Sequence, residues 1–153
     1  MLLLALPYPA NGVNLMPLFD DRFVLAVPKD HAMLAQTSVS IDSLGGSELL
    51  LLEDGHCLRD HALEACKLNP RDLRVPYQAT SLTTIVQMVA NGIGITLLPQ
   101  MAVNARILSG TQIRTLPFDD AHIARTIGLM WRATSPRQTE YRMLGDFIRQ
   151  FYL

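Results

Sequence analysis

The chain has 153 residues, 49% of them hydrophobic, 18% charged and 7% aromatic, with a formal net charge of −1. That length suits one or two small domains with a real core, and the composition excludes a disordered tail, a collagen-like repeat and a disulfide-dense secreted miniprotein. With 13 Lys+Arg against 14 Asp+Glu there is no basic excess to neutralise phosphates, so the chain as given is a poor binder of DNA or RNA by charge.

Met1–Leu6 is a continuous apolar run, far short of a membrane span and without the basic flank or small-residue cleavage site of a signal peptide. The expectation is a cytoplasmic chain with no membrane partner. The run reads as a strand buried on both faces of a parallel sheet; such a strand needs neighbours on either side, so the chain is expected to be a piece of something longer. Pro7, Pro9 and Asn11-Gly12 mark a loop, Val13–Met16 a short strand, and Phe23–Val27 another strand closed by Pro28. Ser40–Leu44 is a weak helical turn stopped by Gly45-Gly46, and Glu48–Leu52 is a third strand. Glu53-Asp54-Gly55 then turns the chain into a helix over Cys57–Lys67. Val75–Ala79 is a strand that enters a helix at Thr80-Ser81. Leu82, Ile85, Val86 and Val89 form that helix's apolar face, and Asn91-Gly92 stops it. Ile93–Leu98 is the next strand, followed by strands near Gln112–Leu116 and Arg125–Trp131. Pro136 begins a last helix with Tyr141, Leu144, Ile148 and Phe151 on its apolar face. Strands alternating with helices over short links predict an α/β domain with a mainly parallel sheet.

The chemistry concentrates around two cysteines, which in a reducing compartment point to reactivity or ligation rather than structure. Cys57 and Cys66 are nine residues apart. If the segment is helical, that is a rise of roughly 13–14 Å with the sulfurs on opposite faces, whereas a disulfide needs Cα atoms no more than about 7 Å apart. Either the thiols never meet, or their oxidation unwinds the helix. Cys57 lies at the predicted N-terminus, where free N–H groups and the helix dipole favour a thiolate, with His56 and Arg59 close by and Asp60 placed to hold the guanidinium. Cys66, among Leu63, Ala65 and Leu68, is in an apolar setting that keeps it protonated. Unequal thiols of this kind suit a reactive first cysteine and a resolving second one. Two other readings stand beside this one: both cysteines as small core residues, or Cys57 and His61 as metal ligands. The latter lacks a second ligand pair, so neither a metal nor a cofactor is expected.

Thr80-Ser81 at a helix start either binds an anion or small effector or simply caps the helix. Gly92-Ile93-Gly94 has no third glycine at dinucleotide spacing and is a helix stop.

The run Leu52-Glu53-Asp54-Gly55-His56-Cys57-Leu58-Arg59-Asp60, followed by Cys66, resembles the redox segment of the OxyR-type hydrogen-peroxide sensors among the LysR-type transcriptional regulators. Pro17–Asp20, Ala79–Leu82 with Gly92–Pro99, and Arg125–Leu129 agree with that resemblance, and Val27–His31 is similar to LysR-type effector domains generally. The likeness covers nearly the whole chain. It implies two α/β subdomains resembling a periplasmic binding protein: residues 1–19 and 125–153 as parts of the first, and 20–124 as the complete second. It implies that peroxide oxidises Cys57 to a sulfenic acid, which Cys66 converts to an intramolecular disulfide. His56, Arg59 and Asp60 are implied to support the thiolate and peroxide, and Arg125 to help hold the reduced site. Thr80 and Ser81 would face an effector cleft in metabolite-sensing relatives. Implied partners are hydrogen peroxide, a glutaredoxin or thioredoxin as reductant, and further copies of the chain in a homodimer or homotetramer. Set against that family, the helix-turn-helix and the early half of the first subdomain are expected to lie outside this sequence. Promoter DNA and RNA polymerase are therefore expected only through the full-length protein.

Such a domain is a stoichiometric sensor rather than an enzyme. The alternatives are a LysR-type domain that binds a small metabolite, with incidental cysteines, and a thiol peroxidase, for which no motif speaks.

Overall fold

A computed structural model describes residues 1–69 and 74–151. In chain order the elements are β1 (Leu2–Leu6), β2 (Val13–Pro28), short 3-10 turns at Ala32–Ala35 and Ile41–Leu44, β3 (Leu51–Leu52) and α1 (Cys57–Ala65). These are followed by β4 (Gln78–Ala79), α2 (Leu82–Ala90), β5 (Thr96–Pro99), α3 (Gln100–Asn104), β6 (Ile113–Pro117), β7 (Ala124–Arg132) and α4 (Gln138–Arg149). They form two compact units, Met1–Asp21 with Arg125–Leu153, and Arg22–Ala124. The final two residues of the first lie outside the described set.

In the second unit the continuous apolar runs bury both faces of their strands. Along β2, Phe23, Leu25 and Val27 enter one core cluster while Val24 and Ala26 enter another. Leu49 and Leu51 alternate with Leu50 and Leu52 in the same way. This is the period-2 geometry of a strand, with each face covered by a separate apolar layer. α1 supplies Ala62 and Leu63 to the first cluster, and α2 supplies Ile85, Val86 and Val89 to the second. Each large aliphatic side chain so buried contributes roughly 1.5–3 kcal/mol relative to exposure. Ser81 starts α2 by accepting the Thr84 N–H on its hydroxyl at 3.2 Å, and Gly92, at φ +75°, ends it.

The expected mainly parallel sheet is corrected. β2 pairs antiparallel with β5 (Val24 opposite Leu98) and with β6 (Val24 opposite Pro117), and β1 pairs antiparallel with β7 (Leu4 opposite Gly128). Among the described residues, parallel pairing is seen for β3 with β4 and at isolated bridges such as Leu49–Ile95. An apolar run reports that both faces are covered and says nothing of the direction of its neighbours. The two strands expected at Val13–Met16 and Phe23–Val27 are one strand of 16 residues, β2, in which Pro17 sits at an exposed position.

In the first unit β7 lies between β1 and β2. β1 is an edge strand, with Leu2 57% and Leu3 55% exposed, rather than a strand buried on both faces. Its neighbour β7 packs Leu129 and Trp131 against Leu18, Met16, Tyr141 and Ile148. The last helix begins at Gln138, and of its expected apolar face only Tyr141 and Ile148 join that cluster. Leu144 and Phe151 are exposed, and Gly145 takes the buried place because Met16 lies against it.

Gly128 sits where a Cβ would fall 2.5 Å from Leu6 Cδ1 and 2.8 Å from the Met16 carbonyl oxygen. Gly128→Ala is expected to lose about 1–3 kcal/mol of stability from overpacking against backbone, measured as a lower urea midpoint at unchanged slope.

Candidate functional site

α1 is built between a glycine turn and an apolar anchor. Gly55 adopts φ +91°, a conformation that side chains disfavour. His56 follows as the N-cap, and its side chain makes no capping bond. The Arg59 N–H donates to the His56 carbonyl at 2.9 Å, and the first turn of α1 has no side-chain cap at the positive end of the helix dipole. Cys57 is exposed at this end, and His56 beside it is half-buried.

Arg59 lies one turn in, with its side chain 11% exposed. Its Nη1 is 2.5 Å from Asp54 Oδ1 and 3.8 Å from Asp60 Oδ1. The expected support from Asp60 is thus the longer contact, and Asp54, which the sequence reading missed, makes the shorter one. Adjacent residues on a helix diverge, whereas the turn at Gly55 brings residue 54 back over the first turn. The Asp54–Gly55 step was the available signal. Arg59 Nε is buried with no acceptor among the described residues. It borders a void of about 10 Å³ shared with Leu58, Leu82 and Thr96, room for about one water molecule.

Cys66 occupies the other end of the helix as its C-cap, and is 2% exposed. It belongs to the core cluster of Leu49, Leu51, Ala62, Leu63 and Ile123. Burial pushes its thiol from 9.0 up to about 12, so it stays protonated and weakly nucleophilic while it remains there. The helix stops through reciprocal bonds, Leu68 N–H to Leu63 O at 2.9 Å and Lys67 N–H to Glu64 O at 3.0 Å. This is the Schellman closure, in which the residue after the cap must be left-handed. That residue is Lys67, at φ +50°, where glycine is the usual occupant.

The two thiols are therefore unlike and separated. One is solvent-facing at a helix N-terminus and the other is core-bound at its C-terminus, nine residues on. A helix of that span rises roughly 13–14 Å, about twice the Cα separation a disulfide tolerates.

The remaining sequence-selected residues have other settings. Arg125 lies in the first unit. It donates from Nε and Nη2 to Asp21 Oδ2, at 3.0 and 2.9 Å, and the Asp21 side chain is 1% exposed. Asp21 was not singled out from the sequence, where it stands between Asp20 and Arg22 at the start of the apolar run Phe23–Val27. Thr80 is exposed, and the Ser81 hydroxyl is engaged in capping and in a 2.8 Å bond with Thr84 Oγ1. Among the described residues no group of three or more His, Cys, Asp or Glu is placed to hold a metal ion. No described helix is long and apolar enough to cross a membrane.

Comparison with known proteins gives the family. The LysR substrate binding domain family matches residues 1–152. The chain is 41% identical over 148 residues to the DNA-binding transcriptional dual regulator OxyR of Escherichia coli K12, covering 96% of this chain and 48% of that protein. The reduced regulatory domain of OxyR2 from Vibrio vulnificus superposes with a TM-score of 0.85 at 34% identity, over 97% of this chain and 70% of that one. A hydrogen-peroxide-bound OxyR mutant from Corynebacterium glutamicum gives a TM-score of 0.85 at 31% identity, over 98% of this chain and 48% of that one. The chain spans about half the length of the curated relatives it matches.

Two outcomes follow from the helix ends. Lys67→Gly is expected to stabilise the chain by about 0.5–1 kcal/mol, read by urea unfolding, because glycine adopts the left-handed cap without the Cβ penalty. For Cys66 the folded state holds the thiol proton above the unfolded value of 9.0. Its contribution to stability is therefore complete below pH 9.0 and is lost as pH rises towards about 12. Unfolding curves across that range should show wild type weakening more steeply than Cys66→Ala.

Proposed function

The chain belongs to the LysR substrate-binding domain family, and from that premise we propose that it is the peroxide-sensing regulatory part of an OxyR-type transcription factor. Cys57 would be the thiol that peroxide oxidises, and Cys66 the one that resolves it. The observation that carries this reading is the asymmetry of the two sulfurs, exposed at one end of α1 and buried at the other. Two incidental core cysteines would both be buried.

In the first step the Cys57 thiolate attacks a peroxide oxygen. The O–O bond breaks, the departing hydroxide takes up a proton as water, and sulfur gives up two electrons to become a sulfenic acid. Cys57 is exposed at the uncapped start of α1, and the Arg59 guanidinium is placed one turn away. In the second step the Cys66 sulfur attacks the sulfenic sulfur, an S–S bond forms, and hydroxide leaves with the Cys66 proton as a second water. This cannot occur across an intact α1. The helix opens first, which also releases Cys66 from the burial that keeps it protonated. The order of events gives a switch: a chemical step at the surface, then a conformational step that the core resists. A dithiol reductant of the glutaredoxin or thioredoxin type would return both thiols. In the full-length protein the rearrangement would be read through homodimer or homotetramer contacts by DNA-binding heads at promoters and by RNA polymerase.

Stoichiometric peroxide is expected to consume both free thiols and yield one intramolecular Cys57–Cys66 disulfide, with loss of helical circular dichroism, mapped by peptide mass spectrometry. Cys66→Ser should stop at the sulfenic acid, and Cys57→Ser should keep its remaining thiol. A Cys57→Ser chain that still reacts, or a disulfide that forms with α1 intact, would remove the basis of the reading.

A further inference from the structure

In the first unit the outer edge of β1 is open: the strand pairs with β7 on one side, and among the described residues no strand pairs its other side. Sheets ordinarily blunt such an edge with charges, proline or a bulge, and Leu2-Leu3-Leu4-Ala5-Leu6 carries no charge and no proline. Leu3 stands opposite Leu129 and shares the sheet face on which Leu129 packs with Tyr141 and Ile148 of α4. Met1 lines a surface pocket together with Tyr141, so the start of the strand borders that helix. α4 itself is seated on the inner strands. Gly145 lies against Met16 of β2 and Leu129 of β7, and Arg149 donates to the Pro17 carbonyl on the β2 side. At about 100° per residue, Leu144, Phe147 and Phe151 fall on the flank away from Arg149, which overhangs β1. All three are exposed, as is Met143 beside them, and Phe147 and Phe151 stack edge to face with centroids 4.9 Å apart. An open strand edge and an apolar helix flank thus form one surface.

We infer that this surface binds a second copy of the chain. The two β1 strands pair antiparallel across a two-fold axis, giving a joined sheet of order β2-β7-β1-β1-β7-β2 with both α4 helices on the same side. The strand is close to self-complementary. Pairing centred on Leu4 sets Leu4 opposite Leu4, Leu2 opposite Leu6, and the large Leu3 opposite the small Ala5. No side chain in Met1–Leu6 is charged, so none repels a like copy. The area also fits. The exposed surface of Met1, Leu3, Met143, Leu144, Phe147 and Phe151 amounts to roughly 700 Å² on each copy, close to the about 800 Å² per partner of a standard specific interface. It exceeds the roughly 300–600 Å² of the largest apolar patch on a typical monomer. Closed two-fold pairing is also the commonest form of homo-oligomer. Neither cysteine belongs to this unit, and the inference stands apart from the redox reading.

Sedimentation equilibrium of the chain is expected to show a reversible monomer–dimer equilibrium in the micromolar range, unchanged by a thiol reductant. Leu3→Lys and Phe147→Glu, both at exposed positions, should each weaken it at least about tenfold with unaltered far-UV circular dichroism. Tyr77→Glu, at an equally exposed aromatic of the second unit, should leave it in place. With both native cysteines replaced by serine, Leu4→Cys should cross-link to its own copy under mild oxidation. Directly opposed Cα atoms of an antiparallel pair lie about 4.5–5.5 Å apart, within the span of a disulfide. A monomer throughout, which leaves the face to another segment or protein, would overturn the assignment. So would a dimer indifferent to both Leu3→Lys and Phe147→Glu, growth past the dimer into open aggregates, or absence of the Leu4→Cys cross-link.

Discussion

The short helix between the two sulfur atoms is the constraint on which the rest depends. α1 has nine residues, too few to persist in water on its own. It exists because Ala62, Leu63 and Cys66 are held in a core cluster with strands on the far side. The same burial fixes Cys66 out of reach and holds its proton. One packing interaction therefore sets both the distance between the thiols and the reactivity of the second. A longer or self-sufficient helix would not open for a modest chemical signal, and an unpacked one would not hold the thiols apart.

β2, β5 and the Leu49–Leu52 segment are covered on both faces by different clusters, with Ala62 and Leu63 of α1 in one, α2 in the other, and Leu58 of α1 packed against both. The left-handed Lys67 at the closure of α1 places a small conformational penalty at the end of the helix that holds Cys66.

The two arginines singled out from the sequence sit in contrasting electrostatic settings. Arg125 is locked by two hydrogen bonds to a buried carboxylate, Asp21. Removing either partner of such a pair leaves an uncompensated buried charge, and in general that costs about 3–5 kcal/mol. Arg59 is held by Asp54, whose side chain is 80% exposed, so solvent screens the pair and the guanidinium is free to redistribute its contacts. The first arrangement suits permanence and the second suits a site whose charge changes.

Local order was readable in advance. The cysteine spacing, the Gly55 turn, the Ser81 cap and the Gly92 stop are written in adjacent residues and need no partner from elsewhere. The alternation of core faces along Phe23–Val27 was legible for the same reason, since strand geometry alone sends neighbours to opposite sides. What lay beyond reach was every feature that depends on a distant segment. The antiparallel direction of β5 and β6 against β2, the fusion of two expected strands into one, and the exposed edge of β1 are decided by which strand arrives alongside. The preference of Arg59 for Asp54 and the pairing of Arg125 with Asp21 are decided by how turns fold back and by what burial leaves unpaired. Side chains declare their chemistry in the chain itself, but their partners are chosen by packing, because packing sums weak contacts over residues that only the folded backbone brings together.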